Sequence, residues 1–452
     1  MVKNKKKIVI LGSGFAAVEC AKKLEKEFGN DPEVELTMVG EDNFLLFTPM
    51  LPQVASGMIE TRHIVFPIRT ICKKTKFYEG RIKNIDPHGK LVTLWGTREK
   101  RSISINYDFL VVALGSETNF FGMADVEKNA YTMKTLNDAI LLRNRVIDML
   151  EQAENETDPI LRKGMLNFVV VGGGYAGIET AGELLDLLFD ATKHYPTIQK
   201  EDVKVIVLEA MGEILGGANK KLANFAKEQL TKRGMNIQLK KAVTSFDGNE
   251  VMIKTLDETP KDSIDQSEVS SIITKTLIWT AGITSVSTIK RSMFKTDKGK
   301  IVVNKFLELK EFPGVFAIGD CALFVDPITN RPLPPTAQIA EAQAKLAAKN
   351  LIAIIKNSEK EKFVYQSKGQ LAIIGKRTGI ATILGMNISG FLAWLIWRNV
   401  YLSKVPTFDK KTRVFLDWMI DLFFDRDVSR LNYIKRETEK EYKLLDEVDD
   451  LW

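Results

Sequence analysis

Apolar residues fall along this chain in short unbroken runs, each set before a longer helical pattern. Ile8-Val9-Ile10-Leu11 and Phe168-Val169-Val170-Val171 are the clearest runs. They read as strands buried on both faces of a parallel sheet. Val34 to Val39, Tyr107 to Gly115, Val203 to Leu208, Thr276 to Gly282 and Val315 to Asp320 predict further strands, and Leu136 to Ala153 predicts a helix. Asp257 to Ser271, rich in Asp, Ser, Glu, Lys and Thr with one Pro, predicts an exposed loop. Alternating strands and helices of this kind build α/β layers around a parallel sheet.

Both leading runs end in glycine-rich turns, Gly12-Ser13-Gly14-Phe15-Ala16-Ala17 and Gly172-Gly173-Gly174-Tyr175-Ala176-Gly177. In such a turn the first glycine (Gly12, Gly172) allows the sharp reversal, and the second (Gly14, Gly174) lets a pyrophosphate approach the backbone. The third small residue (Ala17, Gly177) lets the helix pack close to the strand. The helix N-terminus then offers free N–H groups to phosphate. An acid after the next strand is expected to bind the ribose hydroxyls. That acid is Glu209 in the second unit and, because Gly40 occupies the expected place, Glu41 in the first. No Arg or Lys closely follows Glu209, and its carboxylate would repel a 2′-phosphate, so NADH is expected rather than NADPH. One such turn is a weak signal. Two, each with strand, helix and acid in order, predict two Rossmann-like dinucleotide-binding domains and redox chemistry between two dinucleotides.

The chain has 452 residues, 45% hydrophobic and 27% charged, with a formal net charge of +6. That length suits two or three domains. The expected divisions are 1–120 and 286–385 for the first nucleotide unit, 121–285 for the second, and 386–452 for a C-terminal region. No basic block interleaved with aromatics points to nucleic acid. Lys3, Lys5, Lys6 and Lys7 read as a frayed start, with no room for a signal or transit peptide before Ile8. The three cysteines, Cys20, Cys72 and Cys321, contain no C-x-x-C pair, so a reducing compartment is expected and the dithiol of a disulfide reductase is missing. With three histidines and no paired acid cluster, no catalytic metal is expected.

The C-terminal region has a different pattern. Ile388 to Leu402 is apolar but short and interrupted by Arg398, and a membrane-spanning helix needs about 20 apolar residues. Val414, Phe415, Trp418, Met419, Leu422 and Phe423 recur at helical spacing, with Asp417, Asp421 and Asp425 expected opposite. Lys404, Lys410, Lys411 and Arg413 lie between the two stretches. Aromatic amphipathic helices with basic flanks suit the bilayer surface. The same stripe would serve a core or a homodimer interface, which the aspartates favour because anionic lipid repels them. Asp446, Glu447, Asp449 and Asp450 read as an exposed acidic tail.

Four further runs narrow the picture: Leu46 to Gly57, Arg62-His63-Ile64, Pro334-Pro335-Thr336-Ala337-Gln338-Ile339-Ala340 with Gln343 after it, and Gly390 to Trp397. With Gly319-Asp320, and across about residues 8 to 432, the chain resembles the type II NADH:quinone oxidoreductases. The resemblance implies one non-covalent FAD, NADH as substrate, a membrane quinone as acceptor, and a peripheral place on the cytoplasmic face of the cell membrane; with no membrane-spanning path visible, no proton pumping is expected. It implies that Thr48, Pro49, Gly115 and Asp320 join Gly12, Gly14, Ala17 and Glu41 at FAD. Glu179 and Gly282 would join Gly172, Gly174, Gly177 and Glu209 at NADH. Gln338, Gln343 and Lys376 would face the quinone, with Glu179, Gln338 and Lys376 in catalysis. Pro52 departs from the family, where tyrosine is common. Each role has a plainer alternative: a helix-start hydrogen bond for Gln338, a solvated helix residue for Gln343, a first-turn acid for Glu179, a surface lysine for Lys376, and structural or solvated positions for His63 and His194. The rival functions are a sulfide:quinone oxidoreductase, which needs cysteines flanking the flavin, and a non-turnover NADH-binding membrane sensor.

Overall fold

The computed structural model describes residues 5–96, 102–256 and 269–430. The helices that position the site are α1 (Phe15–Phe28), α2 (Leu51–Ala55), α3 (Leu136–Asn155), α4 (Tyr175–Ala191), α5 (Ala337–Ile355), α6 (Phe391–Lys404) and α7 (Phe408–Ile420).

The first sheet runs, edge to edge, through Val315–Ala317, Phe109–Val112, Lys6–Leu11, Val34–Gly40, Lys76–Asp86, Leu91–Gly96 and Ser102–Asn106. Its first five strands are mutually parallel. A strand from near residue 315 thus returns beside one from residue 109, with the whole second unit inserted between them. The second sheet runs through Tyr131–Thr132, Thr276–Trp279, Asn167–Val171, Lys204–Glu209 and Asn236–Leu239, all parallel. In each sheet the strand that ends in the glycine turn lies centrally and is wholly buried at Ile8, Ile10 and Leu11, or at Phe168, Val169 and Val170. Central parallel strands have helices on both faces, which accounts for unbroken apolar runs.

Two local expectations change. Lys6 and Lys7 belong to the first strand rather than to a frayed start; the Lys7 N–H donates to Asp108 Oδ2 at 2.7 Å. Val269, Ser270 and Ser271 are not loop but part of the strand Val269–Ile273, paired antiparallel with Glu250–Thr255. Residues 257–268 of the expected loop, and the acidic tail, lie outside the described residues.

After α5 the chain forms an antiparallel sheet of Gln370–Ile373, Gly379–Ile383 and Met386–Gly390, then α6, α7 and a non-helical segment to Arg430. Residues 370–376 run alongside α4. The Tyr175 hydroxyl donates to Gln370 Oε1 at 2.7 Å, and Gly182 leaves room for the Ile374 carbonyl carbon 3.1 Å from where a Cβ would stand. This sheet, which straddles the division expected at 385/386, thereby ties the C-terminal region to α4 of the second nucleotide unit.

Candidate functional site

The two glycine turns have the geometry their residue types require. Gly12 and Gly172 take φ of 115° and 106°, in the region that side chains avoid. A Cβ on Gly12 would overlap the Ala113 carbonyl, and one on Gly177 would overlap the Gly172 carbonyl. Gly14, Gly174 and Gly115 instead face open space, with nothing within 4 Å of where a Cβ would stand. Open backbone at the start of α1 and α4 is what a pyrophosphate needs. Asp320 is half-buried beside the first cradle, where it accepts from Ser116 Oγ at 2.9 Å and lies 3.8 Å from Lys134 Nζ. These residues fit a dinucleotide in each cradle.

The acids after the second strands differ. Glu209 closes its strand; Oε2 accepts from Gly173 N at 2.5 Å and Oε1 from Met211 N at 2.7 Å. Its carboxylate is fixed at the rim of the turn. Gly40 ends the corresponding strand in the first unit, and a Cβ there would stand 2.8 Å from Ser13 Cβ. Packing of the turn against the strand end therefore excludes an acid at 40. Glu41, one residue on, has a side chain 70% exposed and 4.0 Å from Arg81 Nε. Thr48 is exposed and opens a single helical turn with Pro49. Gly282 keeps its φ of 84° against Phe121.

Glu179 is not a first-turn acid: α4 begins at Tyr175 and its first turn is free of acids. Glu179 lies one turn deeper, and Oε1 accepts the Ile373 N–H at 3.1 Å. Burial pushes its carboxyl up to about 8; the Ile373 hydrogen bond opposes this, the nearby Glu183 charge adds to it, and Trp397 opposes it. The Trp397 indole N–H is buried without a hydrogen-bond partner among the described residues. A carboxyl with a raised affinity for protons, between a nucleotide cradle and the Trp397 indole, is the strongest acid–base candidate among the described residues.

Gln338 and Gln343 separate. The helix-start bond expected of Gln338 is made by Thr336, whose Oγ1 accepts from Ile339 N. Gln338 is half-buried and donates to the Gly369 carbonyl at 3.3 Å. Gln343 is 2% exposed rather than solvated, and Oε1 accepts from Gly319 N at 2.7 Å. It holds the turn that presents Asp320. Lys376 lies 3.8 Å from Asp190, with a side chain 52% exposed. Asp190 is three helical turns from Glu179, about 16 Å along the axis of α4. The structure thus brings Glu179, Ile373 and Trp397 together and leaves Lys376 at the far end of the same helix.

The C-terminal helices carry a correction. Val414 and Trp418 point inward, and Asp417 and Asp421 point inward with them. Asp417 Oδ2 is 2.5 Å from His63 Nδ1, and Asp421 lies 3.3 Å from Arg426 Nε. Arg398 is 8% exposed and sits over the rings of Trp394 and Trp418 at 4.0 and 4.9 Å. The Trp418 indole donates to Gln53 Oε1 on α2 at 3.0 Å. Phe415, Leu416, Met419, Ile420, Phe423 and Phe424 face outward, joined by Phe391, Leu392, Leu395 and Phe408. The expected single stripe is split: Asp417 and Asp421 turn inward, Asp425 stays exposed beside Lys193, and the outer face is apolar. Among the described residues no helix is long and apolar enough to cross a membrane. Of the two roles open to His63, structural or solvated, the structure gives it the first, as the partner of Asp417. No local signal could have found this pair, because the two residues are distant in sequence.

Residues 6–344 match the pyridine nucleotide-disulphide oxidoreductase family, and residues 367–427 match the NDH2 C-terminal domain. The chain is 32% identical over 435 residues to a probable NADH dehydrogenase of Dictyostelium discoideum, covering 94% of this chain and 91% of that one. It is 31% identical over 435 residues to the type II NADH:quinone oxidoreductase of Mycobacterium tuberculosis, covering 93% and 89%. The NDH2 structure of Plasmodium falciparum superposes with a TM-score of 0.85 at 20% identity, over 94% of this chain and 100% of that one, a likeness of fold. With flavin and pyridine-nucleotide binding implied by the first match and the C-terminal region by the second, the chain belongs to the type II NADH:quinone oxidoreductases within the pyridine nucleotide-disulphide oxidoreductase family.

Proposed function

We propose that the chain carries electrons from NADH to a membrane quinone through one non-covalent FAD, as a peripheral, non-pumping member of a respiratory chain on the cytoplasmic membrane face. The observation that carries this reading is Glu179: a carboxyl held by the Ile373 N–H at 3.1 Å, on the helix that leads out of the second cradle and against the C-terminal region, with its affinity for protons raised by burial. FAD bound at Gly12, Gly14, Ala17, Glu41, Thr48, Pro49, Gly115 and Asp320 supplies the redox chemistry. Residues 1–120 and 286–385 form its domain, and 121–285 the NADH domain.

NADH binds over Gly172, Gly174, Gly177 and Gly282, with Glu209 on its ribose, gives up a hydride and leaves as NAD⁺ before the quinone is reduced. A hydride carries two electrons and one proton, whereas reduction of a quinone to a quinol takes two electrons and two protons. Glu179 holds the second proton. Gln338 orients the quinone, Gln343 keeps the Gly319–Asp320 turn in place, and Lys376 with Asp190 lies where α4 meets solvent. The outward aromatic face of α6 and α7 rests on the bilayer, which brings the site to a lipid-soluble substrate; contiguous apolar surface of this kind marks an interaction site. The sulfide reading has little chemistry to use: Cys321 is wholly buried, its Sγ donates to the Ile318 carbonyl at 3.2 Å, and burial pushes the thiol up to about 11.

The test is anaerobic stopped-flow absorbance. NADH should bleach the flavin band and a short-chain quinone should restore it. Bleaching by sulfide alone would move the assignment to the sulfide enzyme, and bleaching without recovery on quinone to the sensor.

A further inference from the structure

Four acids of α4, Glu179, Glu183, Asp186 and Asp190, are spaced four, three and four residues apart. That spacing puts them on one face of the helix. Glu183 and Asp186 are buried, at 2% and 5% exposure. Buried carboxylates without partners take up protons instead of staying charged.

Asp186 pairs with Arg233, and the partner of Glu183 comes from the far end of the chain. Arg426 follows α7 in the non-helical C-terminal segment, and its side chain is 3% exposed. Nη2 lies 3.0 Å from Glu183 Oε2 and 4.0 Å from Asp186 Oδ2, Nη1 donates to the Glu183 carbonyl at 2.9 Å, and Nε is 3.3 Å from Asp421 Oδ1. The segment is strapped to α3 on the other side. Arg143 donates to the carbonyls of Ser429 and Asp427 at 2.9 and 2.8 Å, and Arg430 Nη1 donates to Asp148 at 2.6 Å. The strap reaches the buried acids directly after the outward-facing aromatic helix.

We propose that Arg426 is a positioning residue for the quinone step: it keeps Glu183 ionised, and the charge on Glu183 keeps the proton on Glu179. The inference rests on the assignment of Glu179 as the proton-holding group. Glu183 and Glu179 are one turn apart, where like charges oppose each other. Glu183 faces Ser56 Oγ, which donates at 2.8 Å, together with Arg426, Asp186, Asp421 and Arg398. Burial holds the Glu183 carboxyl above its ordinary value, and Arg426 is the strongest influence drawing it back down. Glu179 faces the Ile373 N–H, Trp397 and Tyr401 from the C-terminal region, and Tyr175 and Glu183 from its own helix.

This arrangement makes a prediction of unusual sign. Removing a positive charge ordinarily makes a nearby acid harder to ionise. Here, loss of Arg426 lets Glu183 take up a proton, which removes the charge that opposes ionisation of Glu179. Arg426→Gln and Glu183→Gln delete opposite charges and should act in the same direction.

The experiment uses the full-chain holoenzyme, reduced with NADH and reoxidised by a short-chain quinone in stopped flow from pH 5 to 10. Flavin content and thermal unfolding are measured alongside. The alkaline limb of the reoxidation rate should move to lower pH by about 1 unit in both single variants, the size of shift one neighbouring charge produces. Arg426→Lys should restore the wild-type limb, and the double variant should move no further than Glu183→Gln. A limb that moves to higher pH in Arg426→Gln, or stays in place in Glu183→Gln, overturns the proposal. If Arg426→Gln loses its flavin, Glu183→Gln decides alone. Glu179→Gln is the control. A wild-type limb in that variant removes the reading of Glu179 and this inference with it. Loss of the limb there, beside unmoved limbs in the other two, overturns only the role of Arg426.

Discussion

Glu179 accepts the backbone N–H of Ile373 across the join between α4 and the C-terminal sheet, at 3.1 Å. One bond thus links the helix that starts at the second glycine turn to the first strand of the C-terminal sheet. A neutral acid can accept that bond, and it leaves the rest of the carboxyl facing Tyr175, Trp397 and Tyr401. The proton on Glu179 is therefore set by three parts of the chain at once.

Replacing Glu179 by glutamine should slow quinone reduction by about 10²-fold, the low end for a positioned acid or base, and leave NADH-driven bleaching close to wild type. With its carboxyl pushed up to about 8, Glu179 is protonated below that pH and ionised above it. Its folded-state value is raised, so its contribution to stability is present at acid pH and is lost as pH rises from its ordinary value through 8. Thermal unfolding from pH 5 to 9 should show the wild type losing stability relative to Glu179→Gln. Parallel curves would show that the carboxyl is not held as a neutral acid.

Glu209→Gln keeps the shape at the rim of the second cradle but removes the charge. Preference for NADH over NADPH, read as the ratio of kcat/KM values, should shrink by roughly 10- to 100-fold, as expected for about 1.5–3 kcal/mol at a charged hydrogen-bonding group. An unchanged ratio would place cofactor discrimination elsewhere.

Gly40→Asp would put an acid where the dinucleotide-binding pattern calls for one, but the side chain must enter the space held by Ser13. The variant should lose about 1–3 kcal/mol of stability, the usual range for overpacking, and bind flavin less well. Gly40→Asp combined with Ser13→Gly should recover both. Flavin fluorescence released during thermal unfolding measures the effect.

Gln343→Leu leaves the Gly319 N–H without its acceptor, at an expected cost of about 1–3 kcal/mol. Because Gly319 precedes Asp320, the loss should appear as faster flavin dissociation. Steady-state KM for quinone should be unchanged in protein reconstituted with saturating FAD. A raised quinone KM at full flavin content would instead place Gln343 in the acceptor site.

Phe415, Phe423 and Phe424 are 48%, 76% and 69% exposed, and full burial of such a side chain is worth about 1.5–3 kcal/mol. Serine at all three positions should weaken binding to phospholipid vesicles by at least about 10-fold and spare turnover with a short-chain quinone. Sedimentation of the wild type in parallel would reveal a dimer that used this face; vesicle binding that survives the triple change would exclude the face from membrane contact.

Much of the nucleotide-binding architecture was legible in the order of residues because its signals are local. A buried parallel strand, a glycine turn and the start of a helix occupy about ten consecutive residues, and backbone sterics dictate where glycine must stand. Gly12, Gly172 and Gly177 could be assigned from that alone, as could Glu209 at the end of its strand. Helical spacing likewise located α7 and its two kinds of residue. It could not assign which kind faces inward, because an amphipathic period is symmetric with respect to what covers each face. Tertiary structure decided that by bringing His63, Arg398 and Arg426 to Asp417 and Asp421, and Gln53 to Trp418. It also decided that Gln343 is buried on Gly319, that Gly40 is closed off by Ser13, and that Glu179 lies against Ile373. Each of these depends on groups far apart in sequence, and burial and charge pairing between such groups exist only once the chain has folded.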